Sequence, residues 1–423
     1  MSTPQKKLFE EVKEGNLTDS SLKQLIKAAK NEEGTSLRSF LNSAEADGDG
    51  ETPLTASIQN GQLRAAAVLV RSGAGVDQIN GNGVSPLFMG STKGLQELVE
   101  LLLTKGAKAN ETTDNGTTPL HASSSIGHLG VVKLLLAGGA KVNQATVDGR
   151  TSLIKSSQEG HQEVVKLLLA YGAKANLAET NGATPLIMSC LNGHREVAKL
   201  LLANSAKVDQ AMDDGVTPLI ASSQDGDLQA VKLLLAKGAA VNLANKNGAA
   251  PLILASQSGH GEVVELLLKK GAKVDQATNK GTTPLSISSQ NGHKEVVKLL
   301  LANGAEVDEV NKNGTTPLNM SSMNGHLNVV KLLLAMGAKV NHADNNGATP
   351  LYTSSMNGHK DIVKLLLAYG ASVDQADKAG ATPLFMSRRC GHQEVMKMLQ
   401  AAKMLQAAKA IGMEEAEEAK EAK

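Results

Sequence analysis

The sequence predicts an all-α solenoid, built from about eleven copies of a 33-residue helix–turn–helix unit with a helical cap at each end. Three observations lead there. The tripeptide Thr-Pro-Leu, or a near copy, begins at Thr52, Ser85, Thr118, Thr151, Thr184, Thr217, Ala250, Thr283, Thr316, Thr349 and Thr382, always at intervals of 33 residues. Ten of the eleven prolines lie in this motif; the other is Pro4. Aromatic residues make up only 2% of the chain and Trp is absent, whereas a conventional core of this size uses more large rings. The length of 423 residues would suggest two or three domains, but stacked repeats escape that limit.

One unit, NKNGTTPLNMSSMNGHLNVVKLLLAMGAKVNHAD from Asn311, explains the period. NKNG reads as a turn in which Gly314 supplies a positive φ. Thr316 is placed to cap a helix, and Pro317 stands at its first position, where no backbone N–H is needed. The short helix LNMSSMN ends at Gly325. The second helix, LNVVKLLLAM, is apolar around most of its circumference and should be largely buried. Gly337 closes it with a left-handed cap, and AKVNHAD runs extended into the next turn. Neither helix covers its apolar face alone, so the units must stack, and stability becomes a sum of nearest-neighbour terms.

The ends depart from the period. LFEEVKEGN reads as a worn first helix ending at Gly15, followed by two amphipathic stretches, SLKQLIKAAK and SLRSFLNSA. Residues 1–46 are therefore expected to cap the array of residues 47–400, and residues 401–423 to form a helical extension and charged tail. The duplicated MLQAAK at Met398–Lys403 and Met404–Lys409 predicts a helix running to about Lys409. The tail MEEAEEAKEAK is expected to be a solvated helix or frayed.

The motifs D/N-x-x-G-x-T-P-L, G-H, V-V-K-L-L-L and G-A-x-V-N/D resemble the ankyrin repeat family over residues 47 to about 400. The resemblance implies two antiparallel helices and a protruding β-hairpin loop per repeat, stacked in a curved array. It also implies protein binding through hairpin tips and the inner face of the first helices. The chain departs from the family in places. The His after Thr-Pro-Leu survives only as His121; elsewhere the site holds Thr55, Phe88, Ile154, Ile187, Ile220, Ile253, Ser286, Asn319, Tyr352 or Phe385. The family's paired alanines become mostly serines, such as Ser123–Ser124 and Ser321–Ser322, whose hydroxyls can bond back to the preceding turn. Ser152 replaces Pro in the fourth repeat. Ser205 replaces the capping Gly in the fifth, where a left-handed serine costs about 1 kcal/mol and makes that repeat the expected soft point.

Composition narrows the function classes. A formal net charge of +1 argues against bulk attraction to nucleic acid or anionic lipid. Apolar runs such as VVKLLLA are too short to span a bilayer, and MSTPQKKLFEEVKEG has no apolar signal core. Cys190 and Cys390 lie six repeats apart, beyond disulfide reach, and free thiols suit a reducing compartment. The expectation is a monomer in the cytoplasm or nucleus, with protein partners, no nucleic acid and no membrane insertion. Of the two thiols, Cys190 should be buried and slow to react, and Cys390 faster.

No motif promises catalysis, a cofactor or a metal. His128, His161, His194, His260, His293, His326, His359 and His392 form a regular series, but repeats stack roughly 10 Å apart, too far for two rings to share one tetrahedral zinc. Each is expected to serve the loop of its own repeat. The lysine row Lys133, Lys166, Lys199, Lys232, Lys298, Lys331, Lys364 and Lys397 mostly follows a carboxylate by three residues, as in Glu163–Lys166 and Glu295–Lys298, the spacing of surface ion pairs. No phosphate-binding loop, nucleophile elbow, HExxH or paired CxxC is present.

Positions that vary between repeats are free for recognition. The tips carry Asp47, Asp49, Glu51, Asp114, Asp148, Glu179, Asp213 and Asp214 against Arg150 in the first six repeats. In the last five they carry Lys246, Lys280, Lys312 and Lys378 against Asp344 and Asp377. Turn preference accounts for the aspartates but not for their replacement by lysine. The first candidate contact set is therefore Asp148, Glu159, Glu179, Asp213, Asp214 and Asp225, suited to a basic segment. The second is Met323, Tyr352, Met356, Phe385 and Arg389, of interface-like composition, unless Tyr352 and Phe385 pack inside their layers. A protein-binding scaffold or adaptor is the leading reading. Near-identity of the repeats favours one alternative, a passive structural or elastic element of a larger assembly; a second is the regulatory subunit of an enzyme, with a hidden site.

Overall fold

The computed structural model describes residues 3–31, 36–44 and 50–421. Among them are 25 helices and no sheet. From Pro53 onward the helices come in eleven pairs, each opening at a Thr-Pro-Leu site. Pro317–Met323 and Leu327–Ala335 form one such pair. The chain forms two compact units, Met1–Asp213 and Asp214–Lys423. Within each, successive first helices pack on one another and each second helix packs against its own first helix.

The local chemistry follows the sequence. Thr316 Oγ1 accepts the Asn319 N–H at 3.2 Å, and Pro317 fills the first turn. Ala250 is the exception, with no side chain to cap Pro251–Ser258. The core of each pair is a thin aliphatic layer: Leu318, Val330 and Leu333 have no solvent exposure. The serine pairs divide their work. Ser321 Oγ donates to Leu318 O at 3.1 Å, whereas the neighbouring Ser322 hydroxyl is buried with no hydrogen-bond partner among the described residues. Ser205 is the one non-glycine with positive φ among the described residues, at 64°. A Cβ there meets the strain expected of a left-handed residue.

Tip loops close as hydrogen-bonded turns, as where Asp344 N–H donates to Ala348 O at 3.0 Å and Gly347 N–H to Asp344 O at 2.9 Å. A ladder bridge forms at Ala145–Thr151. Before the first pair lie Pro4–Glu14, Asp19–Asn31 and Leu37–Leu41, with Gly15 left-handed at φ 74°. Pro4–Glu14 packs on Pro53–Gln59, the first helix of repeat one. At the other end the last helix spans Gln393–Glu421 and so continues well past Lys409. Its sequence is mostly Ala, Glu, Lys, Leu and Met, all strong helix formers, and the lone Gly412 costs only about 1 kcal/mol.

Candidate protein-binding surface

Three sets of hydrogen bonds place the variable residues, each linking a repeat to its predecessor. The first is a backbone ladder along the tips. In the first unit, Val147 N–H donates to Asn115 O at 3.0 Å, Thr180 N–H to Asp148 O at 3.0 Å and Asp213 N–H to Asn181 O at 2.8 Å. In the second, Lys246 N–H donates to Asp214 O at 2.8 Å and Lys378 N–H to Asn346 O at 2.8 Å. Glycine is needed where tips approach: a Cβ on Gly149 would lie 3.0 Å from Glu179 Cα. Tip side chains do not make this ladder, so they can vary.

The second set uses the Asn or Asp of G-A-x-V-N/D. Asn143 Oδ1 accepts the Lys174 N–H at 2.8 Å while its Nδ2 donates to Gly172 O at 3.0 Å. Aspartate can only accept, as where Asp308 takes the Lys339 N–H at 3.0 Å. Asp275 also accepts, from Glu306 N–H. Burial raises its pKa above the ordinary carboxylate value, and the neighbouring Glu306 and Glu309 push the same way.

The third set corrects the expectation for the histidines. They do not serve the loops of their own repeats. His161 Nε2 donates to Ser125 O at 3.0 Å, and His326 Nε2 to Gln290 O at 2.8 Å, each in the preceding repeat. The imidazole lies over that repeat's glycine: a Cβ on Gly127 would fall 2.7 Å from His161 Nδ1. A carbonyl only accepts, so Nε2 carries the proton. His121 has another role, with Nδ1 accepting the Thr118 N–H at 3.1 Å and Nε2 donating to Gln144 O at 2.9 Å. Burial lowers its pKa.

On this framework the acidic candidates separate. Asp47 and Asp49 lie outside the described residues. Glu179 is buried, contrary to its expected place on an open rim: Arg150 Nε reaches its carboxylate at 2.6 Å and Asp148 at 3.0 Å. The Thr146 hydroxyl bonds Asp148 and is the main cause of its lowered pKa, with Arg150 assisting. The Arg150 guanidinium is half-exposed, and Glu179 holds it in its charged form. In the first unit Glu159 and Asp213 are exposed, with no ion pair among the described residues. In the second unit Asp214 and Asp225 are exposed; Asp214 Oδ1 also accepts the Val216 N–H at 3.0 Å.

The apolar candidates also divide. Tyr352 packs with Ala348 and Met386, and its hydroxyl donates to Asp377 Oδ2 at 2.8 Å. Burial first, and then Asp377, push its pKa up to about 12. Met356 packs against this cluster. Phe385 does not pack inside a layer and is 52% exposed. Tyr352, at the same register, packs against Met386 of the next first helix, whereas among the described residues no later first helix packs on Pro383–Arg389. Met323 and Arg389 are exposed as well.

The expected lysine pairs close in part. Glu196–Lys199 and Glu394–Lys397 meet at 3.7 and 3.6 Å, whereas Glu163–Lys166 and Glu295–Lys298 do not meet among the described residues. At exposed sites such pairs contribute little, so the rotamer entropy of long side chains decides. Cys190 is buried and Cys390 exposed. Among the described residues no group of three or more His, Cys, Asp or Glu is placed to hold a metal ion, and no helix is long and apolar enough to cross a membrane.

No curated protein matches the chain significantly. A family model described as ankyrin repeats (3 copies) matches residues 25–113, 91–179, 127–212, 186–278, 252–344 and 337–407. Ankyrin repeats are generally protein–protein interaction modules and typically non-catalytic. With the stacked helix pairs, the inter-repeat bonding and this match running through both units, the chain belongs to the ankyrin repeat family.

Proposed function

We propose that the chain is a non-catalytic scaffold that holds a basic segment of a partner protein at its acidic tips and at carboxylates on the ends of first helices. The observation that carries this reading is the freedom of those carboxylates. Asp213 at a tip of the first unit, Glu159 at the end of Ser152–Gln158 in the same unit, and Asp225 at the end of Pro218–Asp225 in the second are exposed and unmatched by a cation among the described residues. The backbone ladder holds the tips without them. Charges that do no structural work can steer a lysine- or arginine-rich segment and speed its association. Glu179 and Asp148 contribute less, because Arg150 offsets them.

The test treats the units separately. Glu159→Lys with Asp213→Lys changes the first, and Asp214→Lys with Asp225→Lys the second. All four positions are exposed, so the fold should survive. Association of an oligolysine peptide should slow about tenfold in at least one double variant and lose much of its salt dependence. Unchanged association rates and salt dependence in both would overturn the reading. In that case the exposed Met323, Phe385 and Arg389 become the better-supported contact set.

A further inference from the structure

The first unit carries a second charged feature of opposite sign. A cavity of about 580 Å³ opens beside the loop that follows Leu63–Arg71, the second helix of repeat one. Arg38, Arg71 and Lys105 line it, with Asp77 as the one carboxylate. The cations come from three helix ends: Arg38 from Leu37–Leu41, Arg71 from Leu63–Arg71, and Lys105 just after Gln96–Thr104. A cation at a helix C-terminus complements the dipole, which accounts for Arg71 and Lys105 but not for Arg38, the second residue of its helix, nor for their convergence on one cavity. All three are exposed and none has an ion pair among the described residues. Asp77 is one charge against three, and its Oδ1 accepts the Lys108 N–H at 2.9 Å.

A neighbouring depression shares Arg71. It lies between Leu63–Arg71 and Gln96–Thr104, over Leu63, Ala67, Leu98 and Leu101, with the exposed Gln96 and Glu97 also lining it, so an entering carboxylate is favoured at the Arg38, Arg71 and Lys105 end and disfavoured beside Glu97. Leu63 is 45% exposed there. We infer that this face of the first two repeats binds a protein segment combining acidic and aliphatic side chains. Carboxylates enter between Arg38, Arg71 and Lys105, and aliphatic groups cover the leucine depression. Continuity of the cationic cavity with an apolar floor favours a peptide over a free anion, which has nothing to place on the leucines. The inference goes beyond the acidic tips and does not rest on them, since both the surface and the sign of charge differ.

Fluorescence anisotropy with a short labelled peptide of Glu and Leu tests it on the full chain. The Glu–Leu peptide should bind at least about tenfold more tightly than matched Gln–Leu and Lys–Leu peptides. The combined variant Arg38→Gln, Arg71→Gln, Lys105→Gln should weaken binding about tenfold, and Leu63→Gln should weaken it independently. Asp213→Lys should leave it unchanged, so this inference can fail while the acidic-tip reading stands, and the reverse. If the combined variant alters thermal unfolding, Lys105→Gln alone provides the comparison, with a smaller loss in the same direction. The inference is overturned if Glu–Leu and Gln–Leu bind alike, if binding survives the charge removal, or if inorganic phosphate displaces the peptide where chloride of equal ionic strength does not.

Discussion

The tips of the first unit and those of the second share one backbone and differ in what their side chains add. Around Arg150 the first unit joins two repeats by a guanidinium between Asp148 and a buried Glu179. At the places in the second unit that correspond to Glu179, Asn245, Asn311, Asp344 and Asp377 turn inward on their own loops. Asn311 Oδ1, for example, accepts the Asn313 and Thr315 N–H groups at 2.9 and 3.0 Å. The backbone ladder is the same in both. Pairing of the tips is secured by main chain and glycine in both units, which leaves the tip side chains free to differ.

The largest expected effect comes from attacking what the units share. Gly149→Ala and Gly347→Ala each place a Cβ at φ 82° and 89°, about 3 Å from the next tip's backbone. Each should cost roughly 2–3 kcal/mol in chemical denaturation, and by similar amounts. A large cost in one unit alone would break the comparison. A smaller effect should appear where the units differ. Glu179→Ala removes a charge-assisted bond and should cost about 1.5 kcal/mol, tempered by the exposure of Arg150. Asp344→Asn should stay within about 0.5 kcal/mol, because an asparagine oxygen accepts the same two N–H groups.

The smallest effect sharpens the picture through pH. Asp275 has a raised pKa in the fold, so its carboxylate is disfavoured there once ionised. Its stabilising contribution is fully present below the ordinary value of 3.8 and is lost as pH rises through the raised value. Asp275→Asn should therefore stabilise the chain at neutral pH by about 0.5–1 kcal/mol, with the gain shrinking in acid. Asn242 shows the geometry to be gained: its Nδ2 donates to Gly271 O at 3.1 Å. Denaturation midpoints at neutral and acidic pH check this, and an equal gain at both would sink it.

Much of the fold was legible because each local signal repeats. Thr316, Pro317 and Gly337 mark helix ends by their own backbone chemistry, and Ser205 stands out against the glycine it replaces. What escaped depends on reach across repeats. Each His adjoins a Gly in sequence, which suggested a bond within its own loop, yet the ring bridges to the carbonyl 36 residues earlier. The absence of that His from the series at Asp227 was an available clue: Asp227 instead caps its own helix through the Gln229 and Ala230 N–H groups. Glu179 looked like one more tip carboxylate because its partner Arg150 lies 29 residues away. Phe385 shares the register of the covered Tyr352, and only its place in the last pair exposes it.

The three recurring sets of bonds that join repeats span between 29 and 36 residues. Relative contact order therefore falls as repeats are added, and the loop-closure entropy of each docking step stays that of one short segment. A chain emerging from the ribosome needs only about one further repeat before the previous one finds its partners. For the same reason, a recombination that inserts or deletes one whole 33-residue unit leaves each remaining histidine a carbonyl to reach and each tip a neighbour to pair with.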